Sequence, residues 1–346
     1  MFAVPGDLDT PTGGYAYARR MLAELGEAGW DVRHLPLGEG FPEPDAGTLA
    51  QAYRLLSAQP EGVPLLVDGL ALGAMPDVAR ALGDRRPLVA LVHHPLALES
   101  GIGAARARTL RASERAALAA ARRVVTTSRT TARTIVCDYG VPADRIAVAV
   151  PGTDPAMPAS GSGSHRTELL SVGTLVPRKG HDLLLAALVA LRDLPWRLTI
   201  VGDATRDPAT AHALRAAVDE AGLADRITFA GAVDAASLAA HYARADLFVL
   251  ASRYEGFGMA FAEAVAHGLP VLGTAAGAVP EAVPAGAGLL VPPGDLPALT
   301  EALRGLLTDR DARARLAGAA RAAAGSLPRW RESAAVLAGV LREATE

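Results

Sequence analysis

The chain alternates two kinds of segment, and it does so twice. Short apolar runs at Phe2–Val4, Val32–Leu35, Pro64–Val67, Leu88–Val92, Val124–Thr127 and Ile146–Val150 read as strands. Ala/Arg/Leu stretches with helical spacing separate most of them, among them Tyr15–Ala28, Met75–Leu82 and Arg106–Ala121. Strands that alternate with helices imply a parallel sheet covered by helices on both faces. The first run is short, which predicts a weak edge or a start lying upstream. Residues 152–165 (GTDPAMPASGSGSH) are then poor in large apolar residues and rich in Gly, Pro and Ser, as a linker is. Alternation restarts with Leu169–Val172, Arg197–Val201, Ile227–Phe229, Leu247–Leu250, Pro270–Leu272 and Leu289–Val291. The expected fold is α/β, with two Rossmann-like doubly wound domains facing a central cleft. The expected boundaries are residues 1–155 and 166–327, with 156–165 as the linker. Ligands of such sheets bind beyond the carboxyl ends of the strands, and a ligand shared by two domains sits in the cleft.

Composition bounds the rest. The length of 346 residues fits two domains at roughly 150 residues each. A formal charge of −3 and a pI near 6.3 argue against a nucleic-acid binder. The single cysteine, Cys137, excludes an intramolecular disulfide and a Cys-based zinc site, and reads as a small buried hydrophobe. No signal-peptide pattern opens the chain, and no apolar run reaches the ~18 residues of a spanning helix. The expectation is a cytoplasmic protein.

The densest chemistry lies in Glu255-Gly-Phe-Gly-Met-Ala-Phe-Ala-Glu263, which runs on to Val271. It reads as a glycine loop, a short helix and a strand. Two carboxylates stand eight positions apart with no other charge between them. Glu263 falls in an apolar segment that reads as buried on both faces. A buried ionised carboxylate costs several kcal/mol (order of magnitude) unless partnered. An internal cation or a hydrogen-bonding ligand is therefore expected beside it. A phosphorylated ligand at the helix N-terminus, with its hydroxyls on the carboxylates, suits this geometry.

Three other segments end strands. Arg178 and Lys179 follow Leu169–Val172, where paired cations suit a diphosphate or simply form a solvated pair on a loop. Gly13-Gly14 follows the first strand and precedes the helix at Tyr15, where glycines let backbone N–H groups approach an anion. His93-His94 follows Leu88–Val92; one imidazole could meet a substrate hydroxyl, or both could be satisfied by the loop. Adjacent side chains on an extended segment point apart, which disfavours a His-His metal site. Asp7-Leu8-Asp9 reads as turn chemistry rather than a metal pair. No cluster has metal-ligand spacing, so neither metal nor cofactor is expected. The P-loop and the dinucleotide fingerprint are both absent. Arg106, Arg108, Arg111, Arg115, Arg122 and Arg123 form either a solvated face with helical-spacing partners such as Glu114, or a surface for an anionic membrane or phosphorylated acceptor.

Taken in order, these pieces resemble a retaining glycosyltransferase of family four, with the two-Rossmann GT-B fold. The resemblance covers nearly the whole chain. It includes Gly13-Gly14, Glu114 through Ser128, Val150–Asp154, Val172-Gly-Thr through Lys179-Gly180, Tyr242-Ala-Arg-Ala-Asp246 and the Glu255/Glu263 pair. The chain carries Gly152-Thr153 where the family often has Asn-Gly, and His94 where an acidic residue is frequent. The resemblance implies a hexosyltransferase moving sugar from a nucleoside diphosphate sugar to a small-molecule, glycan or lipid-linked acceptor. Bacterial glycan, glycolipid or natural-product glycoside synthesis is the setting it implies. Glu255 would hold sugar hydroxyls, and Gly256, Phe257, Gly258 and Met259 would meet the sugar and diphosphate through backbone N–H groups. Glu263 would accept from the ribose, and Arg178 and Lys179 would neutralise the diphosphate. His93 would lie near the sugar and Gly14, with Gly13, near the diphosphate. Gly173 and Val233 complete the donor-binding set. The segment 328–346 would be a final helix packing back on the first domain. No nucleic acid is expected as a partner, and the membrane's inner face is a candidate peripheral contact. A related epimerase or phosphorylase, or a non-catalytic nucleotide-sugar-binding protein, stays open.

Overall fold

The computed structural model describes residues 1–346 and divides into two compact units, Met1–Gly152 with Pro328–Glu346, and Thr153–Leu327. In the first, six strands form one parallel sheet: β1 Phe2–Val4, β2 His34–Pro36, β3 Leu65–Asp68, β4 Leu88–Val92, β5 Arg123–Thr126 and β6 Ile146–Val148. Their order is β2-β1-β3-β4-β5-β6. β1, β3 and β4 are buried along their whole length, which is why they read as unbroken apolar runs. The short β1 is no edge: it pairs with β2 on one side and β3 on the other.

Local chemistry sets the helices between them. Ser128 opens the helix Arg129–Tyr139 by accepting from the Thr131 amide at 3.0 Å, and Gly140 ends it in the left-handed region at φ 71°. Its buried stripe is Thr131, Ile135 and Tyr139. Cys137 lies off that stripe and is exposed, not the buried hydrophobe expected. The final helix, Trp330–Glu343, packs in this unit. Trp330 meets the Tyr17 ring edge-on at 5.8 Å, Glu343 pairs with Arg123 at 2.7 Å, and Ser333 donates to the Val150 carbonyl. A Cβ at Gly152 would overlap the Trp330 backbone, so this close approach requires glycine there.

The second unit repeats the plan with β7 Thr167–Val172, β8 Trp196–Val201, β9 Ile227–Gly231, β10 Leu247–Leu250, β11 Val271–Thr274 and β12 Gly288–Val291. The order is β12-β11-β10-β7-β8-β9, again parallel. Leu184, Leu188, Trp196, Leu198, Val249 and Leu303 are among its buried core.

The segment expected as a free linker is tied down. The Ala159 amide donates to the His267 carbonyl at 2.7 Å and the Ser160 amide to Ala243 at 3.0 Å. Asp246 accepts from the Ser162 amide at 2.9 Å and its hydroxyl at 2.6 Å. The composition of 152–165 reports that it lacks a core of its own; it says nothing about polar groups elsewhere that hold it.

Candidate functional site

In the second sheet, chain direction reverses its lateral progress between β7 and β10, the two neighbouring strands at the centre. Such a switch point splays the two following loops apart and opens a crevice at the strand ends. The loop after β7 carries Arg178 and Lys179 in the single turn Pro177–Lys179. The loop after β10 carries Ser252, Arg253 and Glu255.

Arg253 fastens one loop to the other. Its amide donates to the Arg178 carbonyl at 2.8 Å. Its guanidinium donates to the Pro177 carbonyl at 2.6 Å and to both Asp182 oxygens at 2.8 and 2.6 Å. Gly180 follows in the left-handed region at φ 65°, and a Cβ there would overlap the Ala251 carbonyl. Lys179 runs across Gly173, where a Cβ would stand 3.1 Å from the lysine Cδ.

These constraints bring three charges together. Glu255 is only 5% exposed. It accepts from Lys179 Nζ at 2.7 Å, Ser252 Oγ at 2.7 Å and Arg178 at 3.4 Å. Arg178 also donates to the Tyr254 carbonyl at 3.0 Å. Burial pushes the Glu255 pKa up, but the Lys179 and Arg178 charges and the bonds from Lys179 and Ser252 outweigh it and hold it at about 2. Two cations surround one carboxylate, so the cluster keeps a surplus positive charge for an anion.

Glu263 lies on the helix Met259–Ala266, which Gly258 begins at φ 101°. Gly256 and Phe257 lead into it, and Phe257 is buried. The N-terminal end of that helix adds a partial positive charge near the cluster. Glu263 is half-buried rather than enclosed on both faces. Its hydrogen-bond partner is one the sequence did not suggest: the Tyr242 hydroxyl donates to Oε2 at 2.9 Å, and the expected internal cation, Lys179, acts through its charge. Burial raises the Glu263 pKa and nearby Asp154 adds to the rise, while the Tyr242 bond and Lys179 oppose it. His181 is buried beside the cluster, where burial lowers its pKa to about 4; it therefore stays neutral, with Nε2 3.3 Å from the Gly173 carbonyl. Val233 follows β9, two strands away from β7.

The first unit gathers a second group at its own strand ends. Gly13 and Gly14 form the first turn of the helix Gly13–Glu27, which begins two residues before the expected Tyr15. A Cβ on Gly14 would stand 3.5 Å from the His93 ring. His93 Nε2 stands 3.3 Å from Asp68 Oδ2, and Tyr17 meets the imidazole edge-on at 5.3 Å. His94 turns away toward Glu99, at 3.3 Å. Asp7 accepts from the Asp9 amide at 2.9 Å, the turn expected of that segment.

Glu114 is not the surface partner of the arginines. It is buried, and it accepts from the Leu96 amide at 3.0 Å, which pins the segment after His93. Burial raises its pKa to about 7, against the opposing Leu96 and Tyr139 bonds. Arg106 pairs instead with Glu43 at 3.0 Å and Arg123 with Glu343, while Arg108, Arg111, Arg115 and Arg122 are exposed. No three His, Cys, Asp or Glu side chains converge as a metal site, and no helix is long and apolar enough to cross a membrane.

Sequence reading missed Asp68, Ser252 and Arg253, and it met Tyr242 only as part of the motif Tyr242–Asp246, with no role. Asp68 had a usable signal, since it ends β3 as His93 follows β4. The bond from Tyr242 to Glu263 had none, because its partner lies 21 residues away on another helix.

Comparison with known proteins covers both units. The model of Glycosyltransferase Family 4 matches residues 12–157, and that of Glycosyl transferases group 1 matches residues 166–309. A D-inositol 3-phosphate glycosyltransferase of Xylanimonas cellulosilytica is 34% identical over 252 residues, 67% of this chain and 60% of that protein. A GDP-mannose-dependent alpha-(1-6)-phosphatidylinositol monomannoside mannosyltransferase of Mycobacterium tuberculosis is 35% identical over 187 residues, 51% of this chain and 48% of that one. The chain thus spans about half to three-fifths of the length of these relatives. Among solved structures, sucrose-phosphate synthase from Thermosynechococcus elongatus superposes with a TM-score of 0.83 at 22% identity, over 99% of this chain and 98% of that one, a likeness of fold. With matches in each half and the two-Rossmann GT-B fold, the chain belongs to the family-4 type of glycosyltransferases.

Proposed function

We propose that this protein transfers a sugar from a nucleoside diphosphate sugar to an acceptor hydroxyl, with retention at the anomeric carbon. The observation that carries the reading is the convergence of Arg178, Lys179 and Glu255 at the ends of β7 and β10. Two cations on one carboxylate leave net charge for a diphosphate, and Glu263 stands on the next helix for a ribose. The names of the relatives, one of them GDP-mannose-dependent, support a nucleotide-sugar donor.

In the proposed step the bond from the anomeric carbon to the diphosphate oxygen breaks, and its electron pair leaves with the diphosphate. The acceptor oxygen attaches on the same face, and its proton passes to the departing phosphate oxygen. Lys179 and Arg178 stabilise that developing charge. Glu255 accepts from sugar hydroxyls, as its depressed pKa keeps it ionised. Backbone N–H groups of Gly256 through Met259 meet the diphosphate and sugar. His93, backed by Asp68, is assigned a sugar hydroxyl. The reaction is proposed to need no metal.

The test is incubation with GDP-mannose, UDP-glucose and other nucleotide sugars and a panel of polyol, inositol phosphate and glycan acceptors, with EDTA, followed by NMR of the product. A product keeping the donor's anomeric configuration is expected. An inverted product, turnover that requires inorganic phosphate, or an epimerised donor without acceptor would overturn the proposal.

A further inference from the structure

A buried tyrosine stands behind the carboxylate assigned to the ribose. Tyr242 is 1% exposed, on the helix Ala235–Arg244. Its hydroxyl donates to Glu263 Oε2 at 2.9 Å and lies 3.3 Å from the Ala260 carbonyl. The ring has two aromatic neighbours: it stacks on His267 at 4.8 Å and 12°, and on Phe248 at 6.2 Å and 27°.

His267 is itself fixed. It caps the helix that carries Glu263, its amide bonding to the Glu263 carbonyl at 3.0 Å. Its Nδ1 stands 3.1 Å from the Met157 carbonyl, and its own carbonyl accepts from Ala159 at 2.7 Å. The strap Met157–Ser162 therefore braces His267, His267 braces the Tyr242 ring, and Tyr242 holds one oxygen of Glu263. A carboxylate with one oxygen held is restricted about its terminal torsion, which leaves Oε1 as the oxygen for a ligand. Without that bond the half-buried side chain is free to turn about its terminal torsion, which is broad for a glutamate.

We propose that Tyr242, braced by His267 and the strap, is a positioning residue that sets Glu263 Oε1 to read the ribose hydroxyls of the donor. This rests on the donor reading above, and it adds that ribose recognition depends on a side chain that touches no substrate. Preorganisation of this kind shows as discrimination between hydroxylated and deoxygenated ribose. A purely structural role for Tyr242 would weaken both alike.

The experiment is isothermal titration of the full chain with UDP, GDP and ADP and the 2′,3′-dideoxy counterpart of whichever binds. Wild type, Tyr242→Phe, Glu263→Gln and the double variant are compared. Tyr242→Phe keeps the stacked ring and removes only the hydroxyl. Wild type should prefer the ribonucleotide by at least tenfold. Tyr242→Phe should lose most of that preference with dideoxynucleotide affinity unchanged, and the double variant should be no worse than Glu263→Gln. His267→Ala should lose part of the preference while retaining the hydroxyl. Equal discrimination by wild type and Tyr242→Phe would overturn the inference and leave the donor reading standing. Effects of Tyr242→Phe and Glu263→Gln that simply add would overturn it as well. No binding of any nucleotide by wild type would overturn both.

Discussion

Glu255 meets Lys179 and Arg178 from the opposite side of a strand boundary, and the three share one small volume because Arg253 and Gly180 leave their loops no other path. The carboxylate is stable as an anion there. Its pKa of about 2 lies below its ordinary value, so it contributes stability above about pH 4.5 that is lost as pH falls toward 2. Removing one cation should affect chemistry more than binding. We expect Lys179→Ala to lower kcat by about 10²–10³-fold, the range for one preorganised charge at a leaving group, while nucleotide Kd rises less than tenfold. Single-turnover kinetics with saturating donor would check it; an unchanged kcat would remove Lys179 from the reaction. Glu255, Glu263, Arg178 and Lys179 were readable in the sequence because charge is rare inside apolar, glycine-rich segments. Ser252 and the bond from Tyr242 to Glu263 were not: a hydroxyl carries no such contrast, and Arg253 reads as one more surface charge. Pairing of both cations with Glu255 was also hidden, since adjacency in space depends on the order of β7 and β10.

At the scale of elements, strands were legible where they are buried on both faces. Leu247–Leu250 matches to the residue, whereas the second strand, expected at Val32–Leu35, forms at His34–Pro36. That strand lies at the sheet edge, where pairing on one side alone leaves its ends to local geometry. The burial of Glu114 could not be read, because helical spacing placed it among arginines and only packing turns it inward. Its pKa of about 7 in the fold exceeds its ordinary value, so its protonated form contributes stability that is full below about pH 4.5 and lost as pH rises through 7. The shift corresponds to about 3 kcal/mol at most, as an order of magnitude. Glu114→Gln should flatten this loss, leaving the variant more stable than wild type at pH 8 and near it at pH 5. Urea midpoints at the two pH values decide it; parallel curves would mean that Glu114 does not titrate there. Gly180 offers a second test. Gly180→Ala adds a left-handed alanine, about 1–2 kcal/mol, and an overlap with the Ala251 carbonyl. An unfolding free energy lower by at least that amount, read from urea titration, is expected; an unchanged value would mean the Pro177–Lys179 turn is not locked.

For the whole molecule, the two sheets differ in order although the sequence gives both the same alternation. The first runs β2-β1-β3-β4-β5-β6 and the second β12-β11-β10-β7-β8-β9, so each has its own switch point. Alternation specifies that helices connect parallel strands; it does not specify on which side each new strand is laid down. Ten of the thirteen residues assigned to the donor, from Gly173 to Glu263, lie in Thr153–Leu327. Gly13, Gly14 and His93 lie in the first unit. That distribution makes a regional prediction. A nucleoside diphosphate at 100 times its Kd should add about 2.7 kcal/mol to the state that binds it. Backbone hydrogen exchange should slow most at 173–181 and 252–263, with EDTA making no difference if the site needs no metal. Of UDP, GDP, ADP and dTDP, the one giving this pattern at lowest concentration names the donor base. Slowing that appears only after magnesium is added would reverse the metal-free reading. Protection confined to 1–152 would take the donor away from Arg178, Lys179 and Glu255 and leave their charge cluster as a device of folding alone.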